Sequence, residues 1–350
     1  MSLAYALYRY PHADHYFRLE GDTCEYYTCA QLDGVSGFVI APFEVKAGQP
    51  IVVIIPRRMM PIATPAPARQ EGSLQPSTLS SEQLDTPQQS YYSIDFANFH
   101  AQLRQGTFRK IVLARCADEA MPEGIDPETL FHRACQLYPR LFVTLVYTPQ
   151  SGLWLTATPE VLLERCTDHW HTIALAGTMQ LTGDELNGEG ESVTWSTKNI
   201  AEQRIVATYI AECLEQFSTN FMEEGPCTVR AANLVHLRSD FTFTLPDDRH
   251  LGTLLGQLHP TPAVCGLPKR DAFHFIVGNE HTPRRYYSGF QGPLHVDGDT
   301  HLYVSLRCMN VEAGRCHLYA GGGLLRDSQM QQEWQETEAK MQTMRRLLNG

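Results

Sequence analysis

The 350-residue sequence predicts an α+β protein, in which strand-rich stretches are interrupted by a few long helices. Short apolar runs such as Gly37-Phe38-Val39-Ile40 and Ile51-Val52-Val53-Ile54-Ile55 read as strands. The helical segments are few and long, whereas a βαβ chain would alternate strand and helix throughout. No period of roughly 20 to 50 residues recurs, which argues against a solenoid.

Residues 1–57 alternate polar and apolar positions, as half-buried strands do. From about Pro61 to Gln89 the composition shifts to Pro, Ser, Thr, Gln and Ala, which marks an exposed connector and a seam with the rest of the chain. A helix is expected over Tyr91–Gly106, and Phe108–Arg115 (FRKIVLAR) reads as a strand with one lysine inside an apolar run. Helices follow at Pro127–Gln136 and Thr197–Phe217. Strands are expected at Leu141–Thr148, Gly152–Thr156, His171–Ala174, Leu302–Asn310 and Cys316–Tyr319. A glycine-rich turn at Ala320–Gly323 then leads into a helix over Ser328–Asn349.

With 43% hydrophobic residues the chain can bury a substantial core. No apolar run approaches the roughly 20 residues of a membrane span, and Met1–Leu19 has neither a basic start nor an apolar signal core, so the expected setting is cytoplasmic with no membrane partner. Ten cysteines without a Cys-x-x-Cys pair point to reduced, mostly buried thiols and indicate neither a zinc site nor a disulfide framework. A net charge of −11 without a basic cluster argues against nucleic acid, and a small anionic substrate would need a local cationic pocket.

Several residues could carry chemistry. Glu333, Glu336 and Lys340, at spacings of three and four, share one helix face. Two carboxylates beside an ammonium, after a turn with exposed N–H groups, suit a divalent cation and a carboxylate ligand, although a solvated ion-pair face has the same spacing. Lys110 falls on the same strand face as Phe108, Val112 and Ala114; burial would favour its neutral amine, a base, while an edge-strand lysine that blocks aggregation is the plain alternative. Glu160, in the turn Ala157-Thr158-Pro159-Glu160 before apolar Val161-Leu162-Leu163, has the setting of a carboxylic acid with a raised pKa. Glu202 stands four residues after Lys198, the spacing of a helical ion pair; it becomes a Mg²⁺ ligand if its helix faces Glu333 and Glu336. His236, the Pro/Gly-shaped stretch His259–Pro268, the segment from Glu280 through Arg284 to Tyr287, and Arg307 complete the candidates, the arginine offering a fork for a carboxylate.

In this order the segments resemble the chorismate-utilising enzymes: isochorismate, salicylate, anthranilate and aminodeoxychorismate synthases. The likeness spans about residues 90–345 and rests on FRKIVLAR, LTATPEVLL, IALAGT, STKNIAEQRIV, VHLRS, HPTPAVCGLP, RRYYSGFQG, VSLRCMN and YAGGGLLRDSQMQQEWQETEAK. It implies one chorismate-binding domain over residues 1–350, built from two large, mainly antiparallel sheets packed together with helices outside. The Pro61–Gln89 stretch then becomes a loop within that domain.

The resemblance also implies roles. Lys110 matches the base that activates water, and Glu160 the acid that protonates the departing C4 hydroxyl. Glu202 and Glu336 match direct magnesium ligands, and Glu333 one acting through water. Lys340 and the amides near Gly321 and Gly323 would neutralise the ring carboxylate. Arg307 and Tyr287 match residues binding the enolpyruvyl carboxylate, Ala176-Gly177-Thr178 the loop beside the ring, and His236 a histidine near the leaving side.

Within the family the base lysine implies water as nucleophile, and Ala263, where pyruvate-eliminating members carry threonine, favours isochorismate synthase over salicylate synthase. Anthranilate synthase component I is a more distant alternative. The chain departs from the family pattern at Gln203, Arg285 and Gly322. The partners expected are chorismate and Mg²⁺, with no glutaminase subunit and a monomer or weak homodimer. Both menaquinone and siderophore synthesis use such a product.

Overall fold

The structure is a computed structural model that describes residues 3–64, 87–166, 168–181, 193–231, 234–245 and 250–349. Its N-terminal strands are β1 (Ala4–Arg9), β2 (His15–Tyr26), β3 (Gly37–Ala41) and β4 (Ile51–Ala63). The expected connector largely falls on residues 65–86, outside the described residues. Its first residues, Pro61–Ala63, belong to β4, and α1 (Pro87–Gln105) begins before its expected end. The strand β5 (Lys110–Ala120) follows, then α2 (Pro127–Leu137), β6 (Phe142–Thr148), β7 (Gly152–Thr158), β8 (Val161–Cys166) and β9 (His169–Gln180). Next come α3 (Thr197–Leu214), β10 (Phe221–Ala231), β11 (Leu234–Phe243), α4 (Leu251–Leu258), β12 (Gly266–Leu267) and α5 (Lys269–Asn279). The chain closes with β13 (Phe290–Leu294), β14 (Thr300–Val304), β15 (Cys308–Glu312), β16 (Arg315–Leu324) and α6 (Met330–Leu348).

The architecture is the α+β one expected, with a refinement. Hydrogen bonding runs unbroken through sixteen strands in the order β10-β11-β9-β8-β14-β13-β3-β4-β2-β1-β6-β7-β15-β16-β5-β12. The two layers are therefore halves of one antiparallel ladder folded over, so that residues of β9 and of β5, near opposite ends of the order, share one buried inner cluster. Strands β1–β4 lie in the middle of this ladder, flanked on both sides by strands from later in the chain.

Local sequence explains most elements. Asp126 caps α2 by accepting from Thr129 N at 2.7 Å, and Ser196 caps α3 by accepting from Asn199 N at 3.2 Å. The outer helices each cover part of the ladder. Val206 and Ile210 of α3 pack with Val39 and Val53, Phe131 of α2 and Met341 of α6 with Leu145 and Leu155, and Phe99 of α1 and Ile276 of α5 with Ile111 and Leu113. Each such side chain contributes roughly 1.5–3 kcal/mol of burial. The run FRKIVLAR looks apolar throughout because β5 is buried on both faces: Ala114 joins the inner cluster while Ile111 and Leu113 face α1 and α5. Phe108 precedes the strand and packs in the outer cluster, not on the face of Lys110 as alternation suggested.

Three expectations are corrected, each for a backbone reason. The strand over Leu302–Asn310 is broken between β14 and β15, because Arg307 adopts a left-handed φ of 46°. The segment Gly321–Gly323 is not a turn; it lies in β16, in register with Ala114, Leu113 and Val112. Ala176-Gly177-Thr178 is not a loop but part of β9, where the register with β11 skips Gly177 (φ 73°) to form a bulge.

Candidate active site

A cavity of about 580 Å³, counting the part open to solvent, lies where the two ends of the ladder meet. One wall is Leu175–Thr178 of β9 with His236 of β11; the facing wall is Val112 of β5 with Ala320, Gly321 and Gly323 of β16. The pairing of β16 with β15 stops at Tyr319 and Cys308, so residues 320–324 have β5 on one edge only. Alternate backbone amides of this stretch therefore point away from β5, in place of the turn that was expected.

The glycines make room for charge. A Cβ at Gly323 would sit 2.1 Å from Glu202 Oε1 and 2.8 Å from Lys110 Cε; one at Gly321 would sit 2.8 Å from the Tyr287 hydroxyl. On the opposite face of the strand, a Cβ at Gly322 would come within 3.2 Å of Glu333 Oε2. Lys110 is fully buried and its Nζ lies 3.0 Å from Glu202 Oε1, so the exposed edge-strand reading is ruled out. Its amine has no bond of full hydrogen-bonding geometry, which leaves donor capacity unspent in the interior. Lys110 does not itself line the cavity; Glu202 stands between. Burial pushes the Glu202 carboxyl up, but Lys110 outweighs it and holds the pKa below the ordinary carboxylate value.

Glu160 enters the cavity from the short link between β7 and β8, with its carbonyl accepting from Val304 N at 2.9 Å. Burial lifts its pKa to about 7, against the pull of Arg307, Lys110 and Lys340. A carboxyl raised this far above the ordinary value keeps its proton well past the usual carboxylate range. Arg307, at the break before β15, donates from Nη2 to His236 Nε2 at 2.8 Å, while His236 Nδ1 donates to the Gly177 carbonyl at 3.0 Å. Burial and the neighbouring Arg307 and Lys340 hold His236 well below its usual pKa, so a neutral imidazole aims the guanidinium. The Gly177 bulge places that carbonyl within reach.

Each carboxylate expected to hold a metal is paired with a lysine. Lys198 ion-pairs with Glu333 on α6 and not with Glu202 four residues along its own helix. Lys340 Nζ lies 2.7 Å from Glu336 Oε1 and donates to the Gly321 carbonyl at 2.9 Å. Burial, and then the like charge of Glu336, raise the Glu333 pKa, and Glu333 Oε2 is buried without a hydrogen-bond partner. Lys198 is within electrostatic reach of Glu202, Glu333 and Glu336 together, so helices α3 and α6 do bring the three acids to one region. They do not form a converged ligand set; among the described residues that description fits Cys116, Asp118 and His317 elsewhere on β5 and β16. An orphaned buried carboxylate oxygen and two acids that repel each other are nevertheless what a hard divalent cation relieves.

Tyr287, Ala263 and Lys340 also line the cavity; Glu333 and Glu336, like Lys110, lie outside its lining. The apolar wall residues Val112, Leu175, Val264, Leu306 and Tyr319 were not singled out from sequence, since nothing separates them there from ordinary core. Nor was the structural role of the buried pair Glu280 and Arg284. Glu280 accepts from Ala114 N at 2.6 Å, while Arg284 donates to the Val264 and Val112 carbonyls at 2.6 and 2.8 Å, tying the Ala263 loop to β5. Arg285 has φ 52°, the left-handed region that glycine adopts most readily, and is held by Asn310 and Glu312 at 2.7 and 3.0 Å.

This folded ladder and its cavity have counterparts. The sequence model of the family described as chorismate binding enzyme matches residues 56–349, and the chain belongs to that family. Among its relatives, it is 33% identical over 260 residues to the salicylate biosynthesis isochorismate synthase of Pseudomonas aeruginosa, covering 71% of this chain and 53% of that protein. It is 28% identical over 266 residues to isochorismate synthase EntC of Escherichia coli, covering 75% and 68%. The matched stretch thus spans about half to two thirds of these relatives' length. The fold matches that of MenF, the menaquinone-specific isochorismate synthase from Escherichia coli, with a TM-score of 0.80 at 22% identity over 99% of this chain and 88% of that one.

Proposed function

We propose that the protein is an isochorismate synthase acting on chorismate with Mg²⁺. The observation that carries this reading is one cavity lined by the buried acid Glu160, whose pKa burial lifts to about 7, and by Glu202, against which the buried amine of Lys110 is held at 3.0 Å. Arg307, aimed by neutral His236, and Tyr287 receive the enolpyruvyl carboxylate. Lys340 and the open-edge amides of β16 receive the ring carboxylate, and Ala176-Gly177-Thr178 forms the wall beside the ring. Water adds its oxygen at C2 and gives up a proton to Lys110 acting as the base; the ring double bonds shift; the C4 hydroxyl leaves as water with the proton of Glu160. Glu202 and Glu336, with Glu333 through water, are the residues that would hold Mg²⁺, which when bound supplies positive charge for the ring carboxylate.

Ala263 in the cavity wall, without a hydroxyl, supports isochorismate as the final product in preference to salicylate. The proposal includes one domain over residues 1–350, a cytoplasmic setting and action without a glutaminase subunit, as a monomer or weak homodimer. Whether the product enters menaquinone or siderophore synthesis depends on neighbouring enzymes. Among the described residues no helix is long and apolar enough to cross a membrane. The test is chromatographic analysis after incubation with chorismate and Mg²⁺: isochorismate alone is expected, while salicylate or anthranilate would overturn the assignment.

A further inference from the structure

The side chains of Cys116, Asp118 and His317 offer ligand atoms that all lie within 4.8 Å of one another. Strand alternation puts Cys116 and Asp118 on one face of β5, and the register of β16 places His317 directly opposite Asp118. His317 Nδ1 is 2.6 Å from Asp118 Oδ1, and Cys116 Sγ is 4.0 Å from the same oxygen. A tetrahedral ion bound at about 2.0–2.3 Å to sulfur, nitrogen and oxygen separates its ligands by about 3.5 Å. Cys116 and Asp118 need only small rotations to reach that spacing, and the imidazole and carboxylate move apart when an ion replaces the proton between them.

We propose that these three residues form a binding site for a divalent transition-metal ion of the zinc class. Thiolate and imidazole donors select such an ion over magnesium, which takes oxygen ligands. The site is thus chemically distinct from the carboxylates around Gly322. It is also separate from them, since Cys116 and Asp118 lie three and five residues along β5 from Leu113, the register partner of Gly322, about 10–17 Å. A second feature supports the assignment. His317 Nε2 faces Glu312 Oε2 at 3.7 Å, so that if Nδ1 takes the ion the other ring nitrogen has a carboxylate to donate to, the arrangement that orients metal-bound histidines. Glu312 is in turn held by Arg285. The site is reachable, with the Asp118 and His317 side chains 47% and 23% exposed. Its three donors sit on two hydrogen-bonded strands, and three protein ligands leave a fourth position for water. A bound ion would staple β5 to β16, the strands that carry Lys110 and Gly321–Gly323 at their other ends. Nothing in the local sequence marks this site, because its ligands come from strands about 200 residues apart, outside any Cys-x-x-Cys spacing.

The experiment is a Co²⁺ titration of the full-length protein in saturating Mg²⁺, without chorismate, followed by a Zn²⁺ competition. One equivalent of Co²⁺ should produce sulfur-to-cobalt charge-transfer absorption that Zn²⁺ abolishes. Cys116→Ala should remove the band and His317→Ala should weaken binding at least about 100-fold, while Glu336→Gln leaves both unchanged. Zn²⁺ should raise the melting temperature of the wild type and not of the folded Cys116→Ala protein. Absence of the band, or its persistence in both the Cys116 and His317 variants, would overturn the proposal whatever the outcome of the chorismate assay.

Discussion

Replacing Glu160 by glutamine should remove activity and, above neutral pH, stabilise the protein. In the unfolded chain the carboxyl loses its proton near 4.5, whereas the folded state retains it to about 7, because only 3% of the residue is exposed. Between those values the native state binds more protons than the unfolded one, so this group's contribution to stability is greatest below 4.5 and declines as pH rises. Each pKa unit is worth about 1.4 kcal/mol, so the decline amounts to about 3 kcal/mol once pH exceeds 7. Glutamine has nearly the shape of the protonated acid and nothing to ionise. Glu160→Gln and wild type should therefore be equally stable by urea denaturation at pH 4.5, with the variant ahead by about 2–3 kcal/mol at pH 8. Turnover of chorismate by the variant should fall about 10²–10⁴-fold, and the wild-type rate should decline with a pKa near 7 as the acid ionises. A stability gap that does not change with pH, or a variant that turns over at the wild-type rate, would refute both the buried-acid argument and the role built on it.

Lys110→Ala should lower turnover about 10²–10⁴-fold while the protein remains folded by circular dichroism; retained activity would remove the assigned base. Gly323→Ala should expel Glu202, since its Cβ would lie 2.1 Å from Oε1, and should be read as weaker Mg²⁺ activation, with a wild-type Mg²⁺ dependence counting against the ligand assignment. Chelation should abolish activity, and added Mg²⁺ should restore it. His171 bridges Glu164 and Asp240 at 2.8 Å each; burial pulls its pKa down, but the two acids outweigh this and hold it at about 9. Its contribution, up to about 3 kcal/mol, is present below pH 6.5 and lost as pH rises through 9, so His171→Gln should narrow its stability gap to wild type between pH 6 and 10.

Much of this protein was legible locally. Ser196 and the periodic run after it place the start of α3, and Asp126 followed by Pro127 places that of α2, because caps and helical periods are properties of neighbouring residues. The helix spacing that puts Glu333, Glu336 and Lys340 on one face, and the motifs that resemble a known family, pointed to one site, and twelve of its fifteen candidate residues line one cavity. Local reading went astray where two local codes coincide. Three glycines look like a turn, yet β5 accepts them as a strand, and Lys198 stands four residues before Glu202, yet its partner is on α6.

What folding adds is the identity of distant neighbours and the exclusion of water between them. A strand's partner lies outside its own sequence, so the pairing of β5 with β16, the bulge at Gly177 and the junction of Lys110 with Glu202 had to await the closed ladder. The same is true of charge: Glu160 is an ordinary carboxylate as a residue in a chain and an acid titrating near 7 only when the surrounding walls strip its solvent. Side-chain type and spacing are encoded along the chain, whereas register and dielectric environment arise from contacts across it.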